Sequence, residues 1–512
     1  MKIRETLNLL TPTVASWGFA LFLAVNATGT WGGVFPFLPL SFQTQEITSS
    51  FFMAQSFALT ASFILAAVSV YFRPELTRRF FLPFSAVPYF LGWACLVGAI
   101  YVHTEALLLA IAGGVLLGIG SAGFFVQWQR YFAGTNAEEG TRDLIVGTGL
   151  ASVLYFSLYA IPRAVTAYLI PAVFLPLFAL AAVLKTREID QSQAMFEDIP
   201  RENAKVYRVA LHDYLQSALC VGALGFCAGI VRSLAISEPA TGTMLNIFSM
   251  GASLVAAIAL LIAWNTKSIH LNVVGGYRLA FPFVITAFAA MPFLPENYEH
   301  ALAAVLYAVY NVVILLMMVQ CAQASRDRGI NPIFIYGFFA GLVYFLHNVG
   351  FMAGSLAGTI RFFGIDPMAV TAIAAIYLLA MMHFAGHGGL KRAASENRAP
   401  ASTIELVALN PEHPSRDNGP KQRDYVEGDF RDLLSKRMQV IRNRYQLSAR
   451  EAEVAELVAR GNTVAKVAEE LVVSENTIRT HMRRLYAKLD IHKKQELLDL
   501  LEEVKASEIR NL

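Results

Sequence analysis

The sequence predicts an all-α fold: a polytopic helical membrane bundle of about twelve spans, six plus six, ahead of a C-terminal domain of four short helices. Three observations carry this. Over most of the 512 residues apolar segments follow one another, and 55% hydrophobic against 15% charged residues, with a mean hydropathy of +0.48, exclude an ordinary soluble enzyme. Each segment holds the roughly 20 residues that cross a bilayer core of about 30 Å. Past about residue 388 the apolar runs stop, and polar sequence with short amphipathic periods takes over.

The segments lie near 14–34, 49–72, 80–102, 106–132, 143–162, 164–184, 212–236, 243–265, 276–294, 300–323, 332–358 and 367–386. Pro162 and Arg163 divide the fifth from the sixth. Lys2 and Arg4 precede the first span, and Arg73, Arg78 and Arg79 follow the second. Arg130 and Arg142 flank the gap after the fourth, and Lys185, Arg187, Arg201, Lys205 and Arg208 follow the sixth. Lys267 follows the eighth, Arg326 and Arg328 the tenth, Lys391 and Arg392 the last. The alternate loops offer Arg163 and Arg361 beside acids such as Glu46, Glu105, Glu238 and Asp366. The excess of bases therefore places both termini in the cytoplasm.

The N-terminal MKIRETLNLLTP lacks a small-residue cleavage signal, so the first apolar run is expected to remain as a span. Cys95, Cys220, Cys227 and Cys321 all sit inside apolar runs, which suits packing. No CxxC or His/Cys spacing is present. No metal site and no cofactor are predicted.

The loop from Lys185 to Leu211 divides the spans six and six, and YFRPELTRRF supplies bases between spans two and three. This organisation resembles the major facilitator superfamily, although the Gly and Asp-Arg core of that family's loop signature is missing here. The resemblance implies two halves around a cavity lined by spans one, four, seven and ten. Those spans carry Asn26, Gln127, Arg130, Arg232, Tyr307, Tyr310 and Asn311, and span eleven adds His347 and Asn348. Polar groups inside spans are costly and mark functional positions. Arg232, within GFCAGIVRSLAI, either snorkels to the outer interface or meets an acid, a carbonyl or an anionic ligand. Tyr307, Tyr310 and Asn311 are its candidate ligand partners. Interhelical hydrogen bonding is the alternative for the tyrosines, His347 and Asn348. The glycine run from Gly113 to Gly123 follows no strand, so it reads as close helix packing and not as a dinucleotide loop.

By composition, residues 1–387 form the membrane domain and 388–429 a flexible cytoplasmic linker with Pro400, Pro411, Pro414 and Pro420. A basic amphipathic helix over 430–445 leads into the last domain, 446–512. It packs on that domain, lies on the membrane surface, or helps dimerise it.

The last domain begins with Ser448-Ala-Arg-Glu451, the spacing of a capping box, followed by Val454, Leu457 and Val458 at helical period and a stop at Gly461. A second helix runs over about 463–472. Ser474 caps a third, SENTIRTHMRRLYAKL, with Ile478, Leu485 and Leu489 inward. A fourth, over about 493–504, carries Leu497, Leu498 and Leu501. Two helices joined by a tight turn make a helix-turn-helix, whose second helix enters the major groove. Between Ser474 and Lys494 six bases stand against two acids, the sign phosphate binding needs. Leu447, Arg450, Glu451, Gly461, Lys466, Ala468, Leu471, Ser474, Thr477, Ile478, His481, Lys488 and Leu489 together resemble the LuxR-type (NarL/FixJ class) domain. That resemblance implies that Ser474 and Thr477 cap the recognition helix and touch phosphate. It puts Arg479, Thr480 and Arg483 at base edges and Lys488 on the DNA backbone, with His481 structural or on phosphate. Thr463-Val464 departs from the family's usual Ser-Asn.

Two functions compete. One is a membrane-embedded transcription regulator in a bacterial inner (plasma) membrane, its spans sensing a small-molecule inducer and its C-terminal domain binding promoter DNA. Dimerisation through the last helix is expected on DNA. The other is a secondary transporter with a regulatory DNA-binding tail. No receiver domain, kinase motif, nucleotide loop or nucleophile–base pairing is visible, so an enzyme is not predicted.

Overall fold

The computed structural model describes residues 11–26, 44–189, 193–197, 199–201, 203–237, 239–266, 269–272, 296–357, 403–406 and most of 437–504, with isolated residues between 283 and 290 and at 377. They fall into two compact units, Met1–Ile189 with Ile199–Glu412, and Asp190–Asp198 with His413–Leu512.

The first unit runs α1 (Val14–Asn26), α2 (Gln45–Phe72), α3 (Pro74–Tyr101), α4 (Ala106–Gly134), α5 (Ala137–Leu158), α6 (Arg163–Leu169) and α7 (Leu175–Glu188). A single π turn at Ile170–Phe174, holding Pro171, joins α6 to α7, because a proline cannot donate to the helical ladder. After the short α8 (Ala194–Glu197), which groups with the second unit, come α9 (Ala204–Ser237) and α10 (Pro239–Thr266). The strand β1 (Ile269–Asn272), α11 (Glu296–Arg328), α12 (Pro332–Ala357) and the strand β2 (Thr403–Leu406) complete it.

Among the described residues eight helices are long and apolar enough to cross a membrane, and α1 is a shorter apolar helix. Ten of the segments expected from sequence coincide with helices. The ninth and twelfth, 276–294 and 367–386, lie outside the described residues apart from isolated positions. Leu65, Val255 and Ile262 are more than 60% exposed on helix faces, an arrangement that water would penalise and lipid tails accept.

Helix pairing follows a rule. In the order of the sequence segments, α1 with α5 (first with fifth) recurs as α9 with α12 (seventh with eleventh). Likewise α2 with α4 recurs as α10 with α11, and α4 with α5 as α11 with α12. Across the halves, α2 meets α12 and α5 meets α10, two contacts that exchange under the same offset of six segments. The tightest approach is α9 on α12. A Cβ at Gly229 would strike the His347 carbonyl oxygen, and one at Gly350 the Phe226 carbonyl oxygen, so only glycine lets these backbones touch.

One element departs from the all-α expectation. β1 and β2 pair antiparallel, with Ile269 opposite Leu406, His270 opposite Glu405, Leu271 opposite Ile404 and Asn272 opposite Thr403. IHLN and TIEL both alternate apolar with polar residues, but four residues are too few for a period of two to stand out. β2 therefore falls inside the 388–429 segment that the composition reads as linker; the rest of that segment lies outside the described residues. Paired strands with open edges do not occur in hydrocarbon, so both lie beyond the same membrane face. With His270→Cys and Glu405→Cys, mild oxidation should yield an intramolecular cross-link in intact membranes. A pair shifted by four residues should not, and absence of the first cross-link would remove the ribbon.

In the second unit, α13 (Ala449–Ala459), α14 (Glu475–Leu489) and α15 (Lys494–Glu503) match the expected first, third and fourth helices to within a residue or two. Val464, Val467 and Ala468 are helical where the second was expected, and Val467 N–H bonds the Thr463 carbonyl at 2.9 Å. Residues 469–474 lie outside the described residues, Leu471 and Ser474 among them. Val454, Ala455, Val458, Val467, Ile478, Leu485, Leu489 and Leu497 close one core. Met438 and Ile441 belong to it too, so the described half of the lead-in helix packs on this unit; 430–436 lies outside the described residues. α14 stops at Asp490, whose φ of 53° is left-handed, and Ile491 N–H returns to the Tyr486 carbonyl at 3.0 Å. That bond and the buried Ile491 side chain make a Schellman closure without a glycine.

Candidate functional site

Arg232 sits on α9 and is 3% exposed, so the snorkelling alternative is not what the fold adopts. Its Nη1 donates to Ser56 Oγ on α2 at 3.3 Å, and its guanidinium carbon lies 4.8 Å from the centre of the Phe52 ring. Nε and Nη2 have no hydrogen-bond partner, and no acid pairs with this arginine among the described residues. Gly229, one turn earlier, holds α9 against the His347 carbonyl and so sets Arg232 beside α12. There Asn348 Nδ2 donates to the Ser56 carbonyl at 3.1 Å and to Thr60 Oγ1 at 3.0 Å.

The aromatic wall is continuous. His347 stacks on Tyr310 with ring centres 5.8 Å apart, and Tyr310 meets Tyr307 edge-on at 5.9 Å. Tyr307, Tyr310, Tyr344 and His347 are all near enough to feel the Arg232 charge. Tyr310 OH, Asn311 Nδ2, His347 Nδ1 and Asn348 Oδ1 are buried without partners. Each such atom costs on the order of 1–3 kcal/mol when nothing replaces water. The structure thus joins Arg232, Tyr307 and Tyr310 with His347 and Asn348, and places Asn311 one residue along α11.

Sequence reasoning missed Phe52, Ser56 and Thr60. The signal was present as Ser56 and Thr60, polar residues four apart on an apolar helix, with Gln55 beside them. The other expected cavity residues are placed differently. Asn26 accepts from Ser121 Oγ at 2.9 Å, and Gln127 Oε1 accepts from Thr186 Oγ1 at 3.2 Å. Arg130 is buried on α4. Gln129 Nε2 donates to the Met318 carbonyl at 2.9 Å, and Arg326 Nη1 to the Phe132 carbonyl at 2.6 Å, which ties α4 to α11.

Asp143 and Asp213, acids at span edges, are both engaged. Asp143 Oδ1 accepts from Thr13 Oγ1 and Ser16 Oγ, each at 2.8 Å, and Oδ2 from Tyr131 OH at 3.0 Å. Asp213 pairs with Arg328 at 2.8 Å.

On α14, Ile478, Leu485 and Leu489 face the core as expected, while Arg479, Arg483 and Arg484 are exposed. Arg479 and Arg483 lie one turn apart on the same side. The side chains of Thr477 and Thr480 lie outside the described residues. Lys488 stands roughly 140° around the helix from Arg483 at about 100° per residue. Its Nζ meets Glu451 Oε2 at 2.6 Å, and the Glu451 side chain is only 6% exposed. Burial, and secondarily Glu496, raise the Tyr486 phenol above its ordinary range, so it stays protonated at physiological pH. On α15, Leu497 and Leu501 are core residues, whereas Leu498 is only partly buried and does not pack on that core.

Lys488→Ala takes the lysine from the buried Glu451 carboxylate, which should cost about 1–3 kcal/mol of C-terminal unit stability, the lysine being partly solvated. Glu451→Gln should cost less, and Lys488→Ala combined with Glu451→Gln should recover part of the loss in denaturant titration. A double variant whose loss equals the sum of the two single losses would show that the pair adds nothing.

Residues 445–501 match the GerE family, described as bacterial regulatory proteins of the luxR family. No curated protein sequence is significantly similar to the chain. A Major Facilitator Superfamily transporter, FucP, in the outward conformation, is similar with a TM-score of 0.44 and 13% identity over 72% of this chain and 97% of its own. A variant of the E. coli fucose:proton symporter FucP gives 0.41 and 12% over 73% and 97%. The nucleoside transporter NupG, also a variant, gives 0.36 and 13% over 74% and 100%. Residues 445–501 are a LuxR-family helix-turn-helix DNA-binding domain, carried by a chain whose apolar helices make it a multi-pass membrane protein.

Proposed function

We propose that the chain is a membrane-embedded one-component transcription regulator, its spans sensing a small molecule and its C-terminal unit binding promoter DNA. The observation that carries this reading is the buried Arg232, unpaired by any acid among the described residues, in the same chain as a DNA-binding domain. A buried charge with two donors unmet gains from a ligand that meets them, and a ligand with different affinity for two arrangements of the bundle shifts their balance. Arg232, Tyr307, Tyr310 and Asn311 form the sensing site in this reading. The repeated helix pairings support two six-span halves, and the basic loops support cytoplasmic termini in a bacterial inner membrane.

On DNA, Arg479, Thr480 and Arg483 address base edges, Ser474 and Thr477 phosphate, and Lys488 the backbone beside its pairing with Glu451. Dimerisation uses the α15 face that carries Leu498, because Leu497 is committed to the core. The alternative, a transporter with a regulatory tail, draws on the same pairings. It fits less well with Asp143 and Asp213, which lie at span edges and are held by hydroxyls and by Arg328.

Genome-wide cross-linking of the full-length protein should enrich a few promoters, and medium composition should change their occupancy. Arg232→Ala should insert normally and give occupancy that no longer responds to medium, with Arg232→Lys partly responsive. Uptake of a solute into proteoliposomes, without discrete promoter occupancy, would establish the transporter instead.

A further inference from the structure

We infer that the Arg232 site takes the carboxylate of a small hydroxy acid, gripped side-on by the Nε and Nη2 edge of the guanidinium. The inference rests on the sensing site proposed above and assigns its ligand class.

A guanidinium offers its donors as edges. Nη1 is spent on Ser56, and Phe52 covers one face of the plane. The Nε and Nη2 edge presents two parallel N–H groups, both without partners. Two parallel N–H donors match the two coplanar oxygens of a carboxylate. The chain does not supply that carboxylate among its described residues: Asp143 is held by Thr13, Ser16 and Tyr131, and Asp213 by Arg328. A halide would fill one point of a two-point edge. A phosphate dianion brings a second charge and further oxygens, and the polar atoms gathered around Arg232 include no second arginine or lysine among the described residues. A monocarboxylate balances the charge.

The other polar atoms define the rest of the molecule. Asn348 Nδ2 donates to the Ser56 carbonyl and to Thr60 Oγ1, which fixes the amide orientation and leaves Oδ1 as an acceptor beside the His347 ring. An acceptor needs a donor, and a carboxylate, ester or ketone has none to give. Tyr310 OH and His347 Nδ1 each take either role. A hydroxyl group satisfies an acceptor on one side and a donor on the other. Carboxylate plus hydroxyl is therefore the smallest chemistry that fills both parts of the site.

The test uses the full-length protein in lipid nanodiscs and four probes: lactate, its neutral amide lactamide, propionate, which lacks the hydroxyl, and inorganic phosphate. Dissociation constants come from the shift of the thermal midpoint with probe concentration. Lactate should bind at least about tenfold more tightly than lactamide and severalfold more tightly than propionate, with phosphate weaker than lactate. Arg232→Lys should weaken lactate at least about tenfold and leave lactamide unchanged, since lysine keeps the charge without the fork. Asn348→Leu should erase the difference between lactate and propionate. Lactate and lactamide alike, phosphate tightest, or no probe shifting the wild-type midpoint would each overturn the inference. Promoter occupancy measured alongside separates the two claims. Lactate binding without change in occupancy keeps the ligand class and sinks the sensing role. Occupancy that answers another compound equally in wild type and Arg232→Lys keeps regulation and removes this site.

Discussion

Gly229→Leu is expected to leave the membrane domain unable to assemble. A Cβ there would collide with the His347 carbonyl oxygen and lie 2.7 Å from the Phe351 nitrogen, both backbone atoms of α12 that no rotamer change can move. Helix association in lipid has no hydrophobic drive and depends on such close packing, so forcing α9 from α12 forfeits the contact that positions Arg232 beside Asn348. The cost should be on the order of 3 kcal/mol or more, at the upper end for overpacking because the neighbour is backbone. In detergent, the variant should elute as aggregate or unfold well below wild type. Gly350→Leu, the reciprocal position against the Phe226 carbonyl, should behave alike, while Gly251→Ala, with open space around it, should be silent. A monodisperse Gly229→Leu protein with the wild-type midpoint would mean that the two helices do not touch.

The second large effect is expected on DNA. Arg479→Ala with Arg483→Ala should cost about 1–3 kcal/mol per arginine if each is bidentate to guanine, so specific affinity should drop by about 30- to 20,000-fold. Binding to a scrambled duplex should fall far less, and fluorescence anisotropy on both duplexes reads the ratio. Both side chains are exposed on one side of α14, away from Ile478, Leu485 and Leu489, so the core should keep its thermal midpoint. A double variant that still discriminates the two duplexes as wild type does would take the groove contact away from this face. Lys488→Ala should lower both affinities together and also lower the midpoint, because that lysine holds Glu451 as well.

What the sequence disclosed follows from what is local. Apolar length announced the spans, and the 3.6-residue period alone places Ile478, Leu485 and Leu489 inward, where the core holds them. Partners distant in the chain were not legible. Ser56 reaches Arg232 across 176 positions and Asn348 reaches Thr60 across 288, and nothing in the spacing of either residue announces the other. The same holds for the pairing of Lys488 with Glu451, 37 positions earlier. Leu497 and Leu498 looked equivalent as last-helix leucines; only packing separates them, since one residue turns the side chain by about 100°. Arg232 was ambiguous for a different reason. Snorkelling and burial use one composition, and burial alone decided between them.

The ribbon of Ile269–Asn272 with Thr403–Leu406 also fixes a parity. A chain that leaves one membrane face at Asn272 and rejoins its partner strand on that face at Thr403 has crossed an even number of times in between. α11 and α12, joined through the left-handed Gly329, supply two crossings. Any further crossings between the two strands therefore come in pairs, so the expectations for 276–294 and 367–386 stand or fall together. A single sidedness reporter between residues 358 and 366 decides both: on the face opposite the ribbon the chain has the full twelve, on the same face ten.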